Sequence, residues 1–218
     1  MMTLLDSIKE IPQIERNIIR DRKETFAPLF EKLKQRAIHS VVLCGSGTSN
    51  NASIAAARFI EKVSLLPVTT ILPNEFLAKA VYDPTALYVF ISQTGTSTLV
   101  LEGVRKMREK DFLTVGISET PETPLAEEAE VFISMNCGVE KFMQRTIGYT
   151  ATLCAELIMG LELGLYYGNL TAKEYDSYLE DMAKAPASQE RMPEQVHGWF
   201  EKSKNMFWDV SNILYYNR

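Results

Sequence analysis

Leu87-Tyr88-Val89-Phe90-Ile91-Ser92-Gln93-Thr94-Gly95-Thr96-Ser97 joins an unbroken apolar stretch to a run of four hydroxyls, one amide and one glycine. The apolar half has the look of a strand buried on both faces. From Thr98 onward Leu101, Val104 and Met107 recur at helical spacing, opposite Glu102, Arg105 and Lys106. Strand, polar turn, helix is therefore expected. At the start of a helix the free backbone N–H groups and the positive end of the dipole attract an anion. A plain turn with an N-cap needs one hydroxyl, not four, so the excess marks 92–97 as an anion-binding loop.

Outward from this stretch the pattern repeats. A loop of the same character, Gly45-Ser46-Gly47-Thr48-Ser49-Asn50, follows the apolar run 41–43. Further short apolar runs lie at 68–72, 113–117 and 131–134, with helical patterns at 52–63, 75–81, 98–110 and 125–129 between them. Pro73, Pro84, Pro121 and Pro124 mark turns. Strands alternating with helices predict an α/β fold: a doubly wound, five-stranded parallel sheet with helices on both faces. Ligands of such sheets sit at the carboxyl ends of the strands, where both polar loops fall.

The flanks read as helical. Residues 4–36 suggest one or two amphipathic helices interrupted near Pro28. A long apolar helix is expected at 146–167, with Gly148, Gly160 and Gly164 allowing close packing, followed by helices at 173–184 and 194–206. The run Ser211-Asn212-Ile213-Leu214-Tyr215-Tyr216 reads as a further strand, either an edge strand or the start of a second unit. The expected organisation is a helical segment at 1–36, a sheet domain at 37–170, and C-terminal helices with that terminal strand at 171–218.

Composition limits the function. At 46% hydrophobic and 23% charged, the 218 residues suffice for one sheet domain with appended helices. A net charge of −5 argues against binding nucleic acid through clustered cations. No apolar run reaches membrane-spanning length and the first ten residues lack signal-peptide order, so a cytoplasmic protein without a membrane partner is expected. Cys44, Cys137 and Cys154 stand at unpatterned spacing and read as reduced thiols. The two histidines, His39 and His197, have no ligand spacing around them, so no metal site is expected.

The Gly45-Ser46-Gly47 triplet hints at a dinucleotide site. However, Asn50 stands where the third glycine belongs, and no acidic residue ends the next strand. No Gly-Lys-Ser/Thr triplet occurs, and no cofactor is expected. A third loop, Cys137 to Thr146, carries Glu140, Lys141 and Arg145 at the same sheet edge, either as an ordinary solvated face or as a cover for the pocket. Glu140 is the only carboxylate in a ligand-edge loop, and both histidines read as structural or surface residues, so no acid–base pair is evident.

These three loops, in this order, resemble the sugar isomerase (SIS) domain, above all the first of the two tandem SIS domains in the isomerase half of glucosamine-6-phosphate synthase. Related double-domain phosphosugar isomerases and fructosamine-phosphate deglycases are similar. The Gly-Thr-Ser core of the family's first loop is matched by Gly47-Thr48-Ser49, and its Ser-Gln-Ser-Gly-Glu-Thr by Ser92-Gln93-Thr94-Gly95-Thr96-Ser97. Gly138, Glu140 and Thr146 match the third loop. Thr94 and Ser97 keep the hydroxyl of the family's residue, whereas Thr96 replaces a glutamate and leaves specificity at the sugar end open.

The resemblance implies that Ser92, Gln93, Thr94 and Ser97 bind a phosphate and that Thr48 and Ser49 contact phosphate or sugar, with Gly47, Gly95 and Glu140 completing the site. In double-domain members the catalytic glutamate and ring-opening histidine come from the second SIS domain or a neighbouring subunit. Single-domain phosphoheptose isomerases place His and Glu on the helix after the first loop, where this chain has Ala55 and Phe59. The expectation is a sugar-phosphate-binding domain, the N-terminal half of an isomerase, deglycase or aminotransferase-like enzyme, self-associating as a dimer. A non-catalytic sugar-phosphate sensor is the alternative. Residues 4–36 are too short and insufficiently basic for a DNA-binding helix-turn-helix unit.

Overall fold

In the computed structural model, which describes residues 3–142, 145–208 and 210–211, the five apolar runs form one sheet. Its strands are β1 (Ser40–Gly45), β2 (Val68–Ile71), β3 (Ala86–Ile91), β4 (Thr114–Ser118) and β5 (Val131–Ser134). All pair in parallel, in the order β2-β1-β3-β4-β5. β3 and β4 are buried along their whole length, as their sequences suggest. β2 is not: no residue of this edge strand is fully buried, because it has a neighbour on one side only.

Helices α2 (Thr48–Ser64), α3 (Pro73–Ala78), α4 (Thr98–Glu109), α5 (Pro124–Glu128) and α6 (Ile147–Tyr166) follow the strands in turn. The pleat sorts side chains with period two. Val41, Leu43, Leu87, Val89 and Ile91 point to one face and pack under α2, α6 and α1 (Leu4–Leu33). Cys44, Tyr88 and Phe90 point to the other, against Phe76 of α3, Val104 and Met107 of α4 and Leu125 of α5. α2 and α6 both start at the carboxyl edge of the sheet and lie side by side. A Cβ added at Gly160 would come 3.1 Å from the Ile60 Cα, and one at Gly164 2.4 Å from the Val63 carbonyl, so these glycines set the helix separation.

The break expected near Pro28 does not occur. α1 is one helix of 30 residues with both Pro12 and Pro28 inside it. Phe26, Leu29 and Leu33 anchor it to the core around Pro28, and the carbonyl that Pro28 leaves unpaired belongs to exposed Glu24, within reach of water. α7 (Ala172–Gln189) likewise runs through Pro186, five residues beyond its expected end. Tyr175 of α7 donates to Glu162 of α6 and accepts from Arg22 Nε of α1 at 2.8 Å, tying three helices together. α8 (Met192–Ser203) is followed by a 3-10 turn at Lys204–Phe207, and it buries none of its own residues. The expected strand at 212–216 lies outside the described residues.

Candidate functional site

The chain winds from β1 to β2 in one direction and from β3 to β5 in the other, so a crevice opens between β1 and β3 at their carboxyl ends. Both polar connections leave the sheet there. α2 begins at Thr48, which puts Thr48 and Ser49 in its first turn and not in the loop. Gly47 (φ 57°) and Gly95 (φ 65°) adopt left-handed backbone that disfavours a side chain. A Cβ at Gly95 would also meet the Thr123 Cβ at 2.4 Å.

Between the two connections lies a cavity of about 200 Å³. Ser46, Thr48 and Ser49 line one wall and Ser92, Gln93, Thr94 and Ser97 the other, with Ile91 as floor and Arg145 at the rim. Six hydroxyls therefore converge with one guanidinium, and the described lining has no carboxylate and no imidazole.

The helix ends sharpen the chemistry. Thr3, Thr123 and Thr171 cap α1, α5 and α7 with their hydroxyls. Proline occupies the first turns of α3 and α8. α6 is capped by Glu140, whose carboxylate accepts from the N–H groups of Thr146 at 2.8 Å, Ile147 at 3.0 Å and Gly148 at 3.1 Å. α2 and α4, the two helices that point at the cavity, have no side-chain cap, no proline and no acidic residue in the first turn. Their orphan donors and positive dipole ends are left for an external acceptor.

Glu140 itself stands behind the cavity wall. Burial opposes its ionisation, but bonds from Thr146 N, the Gln93 amide, Gly148 N and Ile147 N outweigh this and hold its carboxyl below the ordinary range. Gln93 is turned the same way: its Nε2 donates to Glu140 at 2.8 Å and to Glu119 at 3.1 Å. Both amide hydrogens are thus committed inside the protein and are not offered to the cavity. This Glu119–Gln93–Glu140 cluster joins the connections after β3, β4 and β5 into one block.

Of the residues singled out in the sequence, Thr48, Ser49, Ser92, Gln93, Thr94 and Ser97 meet at the cavity, while Gly47 and Gly95 shape its backbone. Ser46 and Arg145 line it without having been chosen. Ser46 had the same hydroxyl signal as its neighbours, and Arg145 was read only as part of a charged loop. Glu119 carried no signal. Thr96, in the place of the family glutamate, bonds Thr94 hydroxyl to hydroxyl at 2.8 Å. His39 is exposed near the amino edge of the sheet, where its backbone N–H donates to the Thr85 carbonyl, and His197 is exposed on α8. The three cysteines are free thiols, each pushed up to about 12 by burial. Among the described residues, no group of three metal-ligating side chains converges and no helix is long and apolar enough to cross a membrane.

Comparison with known proteins gives one consistent picture. The family pattern described as SIS domain matches residues 35–159. Glutamine–fructose-6-phosphate aminotransferase (isomerizing) of Xanthomonas campestris pv. campestris is 27% identical over 84% of this chain and 30% of its own length. The enzyme of the same name from Francisella tularensis is 31% identical over 71% of this chain and 25% of its own. The chain spans a quarter to just over a third of the length of such curated relatives. Among solved structures, a candidate phosphosugar isomerase from Clostridium difficile 630 superposes with a TM-score of 0.86 at 21% identity, over 94% of this chain and 58% of that one. The C-terminal domain of the Francisella tularensis glucosamine-fructose-6-phosphate aminotransferase superposes with a TM-score of 0.73 at 24% identity, over 84% of this chain and 54% of that one.

Proposed function

The chain belongs to the SIS domain family, and on that premise we propose that the cavity between β1 and β3 binds the phosphate of a sugar phosphate. The observation that carries this is the pair of uncapped helix N-termini facing six hydroxyls across one cavity. The N–H groups of α2 and α4 take the phosphate oxygens, Ser92, Thr94 and Ser97 donate from one side and Thr48 and Ser49 from the other, and Arg145 supplies a cation at the mouth. The sugar then extends toward the open rim. Residues 37–170 form the binding unit.

The chemistry served is proton transfer between C1 and C2 of a sugar phosphate: ketose–aldose isomerisation, deglycation or amine transfer. The phosphate contributes remote binding energy that positions the reacting carbons. Since the described lining has no carboxylate or imidazole, the base for such a step comes from a second SIS unit or a neighbouring subunit. The same feature supports the second reading, a sugar-phosphate sensor without turnover. Self-association as a dimer accords with the exposed Met192, Val196, Trp199 and Phe200 on α8, and the protein is read as cytoplasmic.

Thermal unfolding with fructose 6-phosphate, glucosamine 6-phosphate, inorganic phosphate, free fructose and NAD tests the site. A ligand at a hundred times its dissociation constant stabilises the native state by about 2.7 kcal/mol. Sugar phosphates should raise the midpoint, free fructose and NAD should not, and Ser92→Ala with Thr94→Ala should abolish the shift without unfolding the protein. An equal shift in that double variant overturns the assignment. Turnover of fructose 6-phosphate by the chain alone excludes the sensor.

A further inference from the structure

One ionisable group lies where none is expected. Glu156 sits on α6 against α2 and is wholly inaccessible to solvent. Its Oε1 lies 2.6 Å from the Ser53 hydroxyl, which is also 3.0 Å from the Ser49 carbonyl, and its Oε2 has no partner. Below it on the same face of α6 come Gly160 against Ile60 and Gly164 against Val63, so the two helix backbones run in close contact along the seam.

A proton count at Ser53 fixes the charge state. The Ser49 carbonyl can only accept, and Ser53 has a single hydrogen to give. With Glu156 ionised, two acceptors compete for that hydrogen and a buried carboxylate has at most one bond. With Glu156 protonated, its O–H donates to Ser53 Oγ and Ser53 donates to Ser49, so both short contacts carry a hydrogen. Among the described residues, no charge offsets the alternative. On α2, Arg58 pairs with Glu61 outside the seam; on α1, Glu15 bonds Gln189 and Arg22 bonds Tyr175, which also holds Glu162 of α6. Burial and the Ser53 hydroxyl are what act on Glu156, and burial pushes its carboxyl up to about 8.

The seam matters because it spaces the two walls of the cavity. α2 carries Thr48 and Ser49 in its first turn, and the first turn of α6 is bolted through Glu140 to Gln93 in the opposite wall. We propose that Glu156 is a neutral acid latch between α2 and α6, and that its deprotonation opens the seam and weakens phosphosugar binding. Loss of the proton to solvent base leaves a buried carboxylate that must be hydrated, and hydrating it separates the helices. The binding half of this inference rests on the proposed function above; the latch itself does not.

The test therefore has two arms on the full chain, wild type against Glu156→Gln, whose amide can donate to Ser53 without titrating. Without ligand, amide hydrogen exchange is compared at pH 7 and pH 9. The latch predicts that α2 and α6 residues of the wild type lose protection relative to the variant at pH 9 only; equal protection at both pH values overturns it. With fructose 6-phosphate as probe, the neutral fraction of a group titrating near 8 falls about tenfold from pH 7 to pH 9, and apparent affinity falls with it. The phosphate, whose second pKa is near 6, is about nine-tenths or more dianionic across that range, and the variant should be nearly flat. The same pH dependence in both proteins overturns the coupling. Absence of fructose 6-phosphate binding at pH 7 counts against the proposed function and leaves the exchange arm to decide the latch.

Discussion

Gly148→Ala tests whether the block behind the cavity holds as a unit. Gly148 is in the first turn of α6, and a Cβ there would fall 1.8 Å from the Gln93 Oε1 and 2.0 Å from its Cδ. Nothing at that separation can stay, so the Gln93 amide must leave. It then loses its bonds to Glu119 and Glu140, both buried carboxylates. Hydrogen bonds to charged groups contribute about 1.5–3 kcal/mol each, so the pair amounts to about 3–6 kcal/mol. Replacing glycine by alanine in a helix returns at most about 1 kcal/mol. The net expected destabilisation is about 2–5 kcal/mol, large for a substitution that adds one methyl group. Gln93→Ala clears the space and removes the same bonds, so adding Gly148→Ala to it should be neutral or slightly stabilising. Urea unfolding of the wild type, both single variants and the double variant gives the coupling energy directly. Additivity within about 0.5 kcal/mol, the level usual for independent sites, would refute the clash and the role of the Gln93 bonds with it.

Two other expectations concern charge. Arg145→Ala should weaken fructose 6-phosphate about tenfold or more, with most of the loss at low salt and no change in unfolding midpoint; isothermal titration at two salt concentrations checks it, and an unaltered affinity removes Arg145 from the site. Glu140 has a folded-state carboxyl held below its ordinary 4.5. Its stabilisation is present above that value and is lost as pH falls through the lower, folded-state one. The difference in melting midpoint between wild type and Glu140→Gln should therefore be constant near neutrality and shrink below pH 4.5, and a difference that does not change with pH would refute it.

The sheet could be read from the sequence because a strand buried on both faces must be apolar at every position, as 87–91 is. The hydroxyl loops stood out for the converse reason: polar groups concentrated at the ends of such strands have few other uses. What failed was local inference about a residue whose neighbours decide its fate. Pro28 ordinarily ends a helix, yet the burial of Phe26, Leu29 and Leu33 carries α1 through it. Glu140 was readable as a ligand-edge carboxylate, but not as the cap of α6, because the donors it meets arise from chain folding back over the site. Glu156 was invisible for a like reason: within a helical stretch it is one more glutamate, and only the approach of α2 strips it of water.

The pairing of α2 with α6 also has a consequence for biosynthesis. Ser53 meets Glu156 across 103 residues of chain, and Gln93 meets Glu140 across 47. A growing polypeptide has exposed both hydroxyl loops long before α6 emerges from the ribosome to close their backs. Until then the strands that flank the crevice lack one of the three helices that cover this face of the sheet, and buried-type sequences such as 87–91 are partly open to other chains. Ligand competence should thus arrive abruptly, with the synthesis of the last turns of α6, and chains truncated before Tyr166 should aggregate instead of forming a weaker binder.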